Sequence, residues 1–297
     1  MYRAHFGLRE PPFGLTPDTA FAFSGVGHQE ALNVLIVASA SGEGFIKITG
    51  EVGMGKTLLC RRFLATLGDD HVAAYIPNPM LEPRGLLLAI ADEFDAQVDR
   101  DADNHQIIKA VNLTLLGLAR QGRKAFVFLD EAQAMPAETL ETLRLLSNLE
   151  TEKRKLVQVV MFGQPELDEK LRQPSIRQLS QRITFQHQMR GLSKLETAQY
   201  VTHRLQVAGY VGDRLFEAGS VDALFRHTQG VPRLVNVIAH KALLAAYGEG
   251  KSQVSRKHVV RAAQDTPASR RVARSPVAAW LAGTAVAIGA ALWFAMS

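Results

Sequence analysis

The chain's 297 residues, 47% of them hydrophobic, are enough for two domains with packed cores, which excludes general disorder. Its 34 basic and 29 acidic residues leave a net charge of +5 with no long single-sign block, compatible with an anionic partner but pointing to none. Cys60 stands alone, so an internal disulfide is excluded, a reducing compartment is permitted, and a small buried hydrophobe on a helix is expected there.

The opening MYRAHFGLREPPFGLTPDTAF carries charges and prolines where a signal peptide needs an unbroken apolar stretch, so export of the N-terminal portion is not expected. Short apolar or β-branched runs then alternate with helix-sized segments: FIKIT (45–49), VAAYIP (72–77), AFVFLD (125–130), LVQVVMFG (156–163) and RITFQHQM (182–189). That alternation predicts crossover connections and a mainly parallel sheet with helices on both faces over residues 1–190. Leucines 140, 143, 146 and 149 mark a core-facing helical stripe. From Gly191 the strand signal disappears. Ser193 and Glu196 fit a capping box that opens a helix to Leu205, which Gly209 can end. Further helices are expected over 220–228 and 232–247, with Ser255 capping one to Gln264, giving a small helical domain over 191–265. Thr266-Pro267-Ala268-Ser269 reads as the start of a basic linker, 266–276.

The run Val277–Met296 holds 20 residues without a charge, and as a helix it covers about 30 Å, the hydrocarbon thickness of a bilayer. Trp280 and Trp293 lie near its ends, where amphipathic rings favour the headgroup level. A transmembrane helix is therefore expected at 277–296, the alternative being a buried or partner-covered helix. Arg270, Arg271 and Arg274 precede it, which keeps the preceding domains in the cytoplasm and places the chain on the inner (cytoplasmic) membrane. Gly283 with Ala287 and Ala285 with Gly289 have a small-xxx-small spacing that would let such helices pack.

The chemistry is concentrated in two runs. FIKIT leads straight into GEVGMGKT (50–57) and then the helical LLCRRFLATL. In this strand-loop-helix setting Gly50, Gly53 and Gly55 let successive backbone amides of Gly50, Glu51, Val52, Gly53, Met54, Gly55, Lys56, Thr57 and Leu58 turn around a nucleotide's phosphates. Lys56 is placed to reach the β/γ-phosphates, and the Thr57 hydroxyl to ligate Mg²⁺. AFVFLDEAQ supplies an apolar strand ending in two acids: Asp130 is assigned to the metal and Glu131 to water activation.

Through about residue 265 the sequence resembles the AAA+ ATPases of the general-secretion type and, among these, the ATPases of MSHA pilus biogenesis. The resemblance rests on PFGLTPDTAF, HQEALNVL, GEGFIKITGEVGMGKT, LDEAQAMPAETLETLRLLSNLETEKRKLVQVVMFGQPEL, RQLSQRI and GVPRLVNVIAHKALLAAYG. It implies a P-loop NTPase sheet of the ASCE type followed by a small all-α lid, with ATP as nucleotide and a homo-oligomeric ring. Gln164 of FGQPE resembles the sensor of the attacking water, with an exposed strand-end amide as the alternative. Arg233 of GVPR resembles the lid arginine that swings toward nucleotide, and Pro232 suits the first helical position before it. Arg172, Arg177 and Arg182 are expected around one helix; by its place before the fifth strand Arg182 resembles the arginine finger, with Arg177 in reserve. The segment 12–23 is expected beside the adenine or as plain core.

Secretion-type relatives continue past their membrane helix into a peptidoglycan-binding region, and direct wall binding is not expected here. The reading is thus a membrane-tethered ATPase assisting type IV pilus or type II secretion assembly with an inner-membrane assembly protein as partner. A nucleic-acid-associated AAA+ switch of the transposition-helper or initiator kind is the alternative. With no added DNA-binding element, nucleic acid is not the expected partner. A further alternative is an ATP-binding scaffold with negligible turnover.

Overall fold

The computed structural model describes residues 2–16, 19–99, 101–146, 148–150 and 155–272. The apolar run 277–296 therefore lies outside the described residues, as does part of the expected linker. Among the described residues no helix is long and apolar enough to cross a membrane. The chain forms two compact units, one from residues 24–190 and one that joins residues 1–23 to the chain from Gly191 onward.

The first helix, α1 (Tyr2–His5), belongs to the helical unit. In the α/β unit the order is α2 (Val26–Ser41), β1 (Phe45–Thr49), α3 (Lys56–Leu64), β2 (His71–Ile76), α4 (Pro83–Glu93), α5 (Asn104–Arg120), β3 (Lys124–Leu129), α6 (Ala137–Leu146), β4 (Val157–Gly163), α7 (Glu166–Leu171), α8 (Arg177–Ser180) and β5 (Ile183–Gln188). All five expected strands form, within one residue at each end, and every pairing is parallel in the order β2-β3-β4-β1-β5. The central strands β1 and β4 are mostly apolar and buried along their whole length, and their long polar side chains are partnered: Lys47 pairs with Asp168, and Gln158 Nε2 donates to the Ala38 and Glu43 carbonyls. Phe45, Val127, Leu129, Val159 and Met161 share a core with the buried sides of α4, α5 and α6, including Leu140, Leu143 and Leu146 of the expected stripe; Leu149 joins the same core but lies beyond the end of α6. On the other face Phe63 of α3 packs edge-on to Phe126, at 6.3 Å, and tilts against Phe128 at 5.9 Å. Cys60 is buried there, and burial, with the charge of Asp130 behind it, pushes its thiol far above the usual range.

One expectation is corrected here. Arg172, Arg177 and Arg182 do not share a helix: α7 stops at Leu171, a 3₁₀ turn spans Pro174–Ile176, α8 starts at Arg177 and Arg182 follows it. Pro174 is the physical cause, since its ring removes an amide and breaks the helix between the first two arginines.

The helical unit contains α9 (Lys194–Val207), α10 (Ala218–Thr228), α11 (Pro232–Gly248), α12 (Arg256–Gln264) and α13 (Pro267–Val272). Ser193 and Glu196 form the expected capping box, Gly209 adopts φ +88° after α9, and Pro232 opens α11. At Ser255 the box is made with a histidine instead of an acid: the Ser255 amide donates to His258 Nδ1 at 3.0 Å.

The sequence reading put residues 1–23 with the sheet, whereas they cluster with the helices. Phe6, Leu8, Phe13 and Phe21 are buried in the same core as Leu205, Phe216, Leu224 and Val235. The buried guanidinium of Arg204 holds this segment, donating to the Pro12 carbonyl (2.5 Å) and the Tyr200 hydroxyl (3.1 Å) and lying 4.6 Å over the Phe21 ring. The Tyr200 hydroxyl in turn donates to Asn236, whose amide donates to the Gly14 carbonyl. Of the two readings of segment 12–23, Phe13 and Phe21 are core. The start of the expected linker is also corrected: Pro267 begins α13, while the hydroxyls of Thr266 and Ser269 are buried and donate to the Ala262 and Ala263 carbonyls.

Candidate nucleotide site

The site lies where three strands of the α/β unit end. β1 delivers the loop Gly50–Gly55, β3 delivers Asp130 and Glu131, and β4, which lies between them, delivers Gln164. The glycines are required by geometry at two places. Gly55 has φ +86°, and a Cβ there would sit 2.7 Å from His28 Nε2; Gly53 has φ +84°. Gly50 is confined differently, because a Cβ would meet that of Met189 at 3.0 Å.

Met54 is buried and its amide closes a turn onto the Glu51 carbonyl at 3.2 Å, while Glu51 and Val52 lie exposed at the tip. No side chain caps α3, so the amides of its first turn, Lys56, Thr57 and Leu58, have no intrahelical acceptor and point toward the loop's concave side. Such a ring of amides is a fitting cradle for phosphate oxygens.

Lys56 is buried and bends over this cradle, its Nζ donating to the carbonyls of Gly50 (2.7 Å) and Glu51 (3.2 Å). Burial pulls its pKa below the usual lysine value, and the charges of Glu131, Asp130, Glu51 and Glu166 oppose that pull. Thr57 Oγ1 donates to Asp130 Oδ2 at 2.6 Å, and Asp130 Oδ1 accepts from the Glu131 amide at 3.0 Å. The two groups expected at a metal are therefore already side by side, a hydroxyl and a buried carboxylate, which is a hard-oxygen set suited to Mg²⁺.

Glu131 sits in the left-handed region, φ 52°, at the turn after β3. Its Oε2 accepts from Gln133 Nε2 (2.5 Å) and Gln164 Nε2 (3.0 Å), while Gln133 Oε1 accepts from the Gln164 amide (2.9 Å). Burial alone would raise the Glu131 pKa, but these hydrogen bonds and the Lys56 charge outweigh it and hold the carboxyl below its ordinary value. Gln164 is thus not a free strand-end amide.

Three residues here escaped the sequence reading. Gln133 had a signal in its spacing, two residues after the second acid. His28, in the first turn of α2, and Tyr75 of β2 did not. The Tyr75 hydroxyl lies 3.5 Å from Asp130 Oδ2, and burial with the Asp130 charge pushes its pKa up to about 12.

The arginines divide. Arg182 is half-buried and its Nη1 donates to Asn148 Oδ1 at 2.8 Å and to the Arg144 carbonyl at 3.4 Å. Arg177 is exposed at the start of α8. Arg233 is exposed in the first turn of α11, in the helical unit.

An AAA domain family matches residues 38–171. The chain is 41% identical over 292 residues to General secretion pathway protein A of Aeromonas hydrophila, a match covering 98% of this chain and 52% of that protein. It therefore spans about half the length of the curated relative it matches. Solved structures of similar fold include Cdc6p from Pyrobaculum aerophilum, with a TM-score of 0.64 at 15% identity over 86% of this chain and 70% of that one. Another is the ORC2 protein of Aeropyrum pernix in ADPNP–ADP complexes, with a TM-score of 0.57 at 18% identity over 84% and 72%. At such identities the likeness is one of fold.

Proposed function

Because the chain belongs to the AAA+ family of the General secretion pathway protein A type and has its P-loop α/β fold, we propose that it is an ATPase tethered to the inner (cytoplasmic) membrane. ATP binding and hydrolysis would drive a step in assembling a type II secretion apparatus or a type IV pilus, in a homo-oligomeric ring that engages an inner-membrane assembly protein. The observation that carries the reading is the 2.6 Å bond from Thr57 to Asp130, which joins the phosphate loop to the acidic strand end. The tether is supported by the charge-free run 277–296 and the three arginines before it.

In this reading the amides from Gly50 to Leu58 and the Lys56 ammonium hold the triphosphate. Thr57 and Asp130 hold Mg²⁺, which when bound neutralises charge on the phosphate oxygens. Glu131 accepts a proton from the attacking water, and Gln164, already bonded to Glu131, orients that water. Arg233 contacts the nucleotide from the lid. Arg182, and in reserve Arg177, acts on a neighbouring subunit's nucleotide.

The test is the Mg²⁺ dependence of ATP affinity in the full-length protein reconstituted in lipid. The expected result is tight binding with Mg²⁺ that Thr57→Ala reduces to the metal-free level; equal affinity with and without Mg²⁺ in the unsubstituted protein refutes the assignment. Mixing Arg182→Ala with Glu131→Gln subunits should restore turnover if the finger acts in trans. Recovery only with Arg177→Ala in place of Arg182→Ala moves the role to Arg177, and no recovery with either removes both.

A further inference from the structure

A side chain outside the roles assigned so far sits on the turn after the two acids. Gln133 lies in the 3₁₀ turn Ala132–Ala134, whose Ala134 amide closes onto the Glu131 carbonyl at 2.8 Å, so both residues are held on one short turn. Gln133 Nε2 donates to Glu131 Oε2 at 2.5 Å, and Gln133 Oε1 accepts from the Gln164 amide at 2.9 Å. Gln164 Nε2 donates to the same Oε2 at 3.0 Å, which closes a ring of hydrogen bonds. The orientation of the Gln133 amide is forced, because a backbone N–H can only donate and an ionised carboxylate can only accept. Among the described residues no donor is bonded to Glu131 Oε1.

Both ends of this bridge rest on fixed points. Gln133 crosses the end of β4 where Gly163 leaves room for it: a Cβ on Gly163 would lie 3.3 Å from Gln133 Oε1 and 2.7 Å from Leu167 Cδ2. Past the turn, the Met135 carbonyl accepts from Lys170 of α7 at 2.8 Å, and Asp168 of α7 pairs with Lys47 of β1. Glu131 itself stands at φ 52°, a backbone state that a residue with a Cβ keeps only where its surroundings over-determine it. The ring adds that constraint on the side-chain end. Its chemistry selects glutamine, since asparagine is one methylene shorter and an ionised glutamate has no proton to donate.

We propose that Gln133 is a positioning residue for the hydrolytic step, one that occupies Oε2 of Glu131 and so leaves Oε1 as the oxygen that takes the water's proton. This rests on the ATPase reading. In that step the proton leaves water for Oε1 as the water oxygen bonds the γ-phosphorus, and the bond from that phosphorus to the ADP oxygen breaks. Gln133 acts through Glu131, and its tie to the Gln164 amide sets the base against the strand end that carries the water-orienting side chain.

The test compares Gln133→Met and Gln133→Glu in the full-length protein reconstituted in lipid, reading kcat, KM, Mg-ATP affinity and thermal unfolding together. Gln133→Met fills similar space without either hydrogen bond. It should lower kcat by about tenfold to a hundredfold, the scale of a reacting group displaced by about 1 Å, with KM and affinity unchanged. Gln133→Glu keeps the acceptor for the Gln164 amide and loses the donor to Glu131, so it should be impaired at least as much. If Gln133→Met does not fold, Gln133→Glu decides alone, by the same fall in kcat at unchanged affinity. Combined with Glu131→Gln, either substitution should lower kcat no further, since each acts only through the base that Gln133 positions. Wild-type kcat in Gln133→Met overturns the proposal, and so does recovery in Gln133→Glu, which would leave the tie to Gln164 as the whole role. A further drop in the double variant, or a loss of Mg-ATP affinity that matches the loss of kcat, makes Gln133 a structural residue and overturns it too. Mg-ATP binding without hydrolysis by the unsubstituted protein is a different failure: it removes the ATPase reading, and this proposal with it.

Discussion

Replacing Glu131 with Gln separates proton transfer from everything else the site does. The carboxylate accepts from Gln133 at 2.5 Å and Gln164 at 3.0 Å. Both donors reach the same oxygen, Oε2, so an isosteric amide can place its carbonyl oxygen there and keep both hydrogen bonds, each now to a neutral acceptor instead of a charged one. For a half-exposed group the stability loss is about 0.5–1.5 kcal/mol. Loss of the general base should lower turnover about 10²–10⁴-fold, while the phosphate loop and the Thr57–Asp130 pair, and with them ATP affinity, stay as they are. Phosphate release, the Kd for Mg-ATP and thermal unfolding are measured together on the reconstituted protein. Because the Glu131 carboxyl is held below its ordinary value, its stabilising contribution is complete above the unfolded-state pKa, about 4.3. That contribution is lost as pH falls through the lower folded value. The stability gap between the two proteins should accordingly be constant near neutrality and close in acid. Unchanged turnover with intact ATP binding would refute the role given to Glu131.

Gly55→Ala should abolish ATP binding with the fold retained, because φ +86° costs an alanine about 1–2 kcal/mol and its Cβ would meet His28 Nε2 at 2.7 Å. Adding His28→Ala relieves the overlap but not the backbone, so rescue should be partial; wild-type affinity in Gly55→Ala alone contradicts this. Arg204→Met should destabilise the protein by about 3 kcal/mol in chemical denaturation through lost charged hydrogen bonds, with faster proteolysis within residues 12–23. A change under about 1 kcal/mol would show that the buried guanidinium does not hold that segment.

The sheet was legible because its strands are short, β-branched and separated by helix-sized gaps, which leaves few alternatives to a parallel α/β order. Asp130, Thr57 and the glycines were legible for a similar reason: each is tied to its neighbours in the chain by a fixed spacing. Long-range pairings were not. Nothing local says that Phe13 and Phe21 join a core built mostly after Gly191, since burial there depends on Arg204 and Tyr200, nearly two hundred residues away in sequence. The Thr266–Ser269 stretch read as a linker from its composition, yet its hydroxyls serve as helix-terminal donors to carbonyls behind them, a use that turn-forming residues share with coil. His28 reaches the phosphate loop only through tertiary packing.

The placement of β1 also shapes how this chain comes together. Its two neighbours are β4 and β5, which pair with Phe45 through Val159 and Ile183, more than a hundred residues later. During synthesis the phosphate-binding loop therefore emerges early on a strand with both edges open, and it is bracketed only after residue 188 has been made. Late closure of non-local pairs slows folding and leaves apolar edges available to other chains. Truncations ending short of β4 should consequently aggregate from an unpaired β1, and those ending between β4 and β5 from its one open edge, whatever the state of the nucleotide loop it carries.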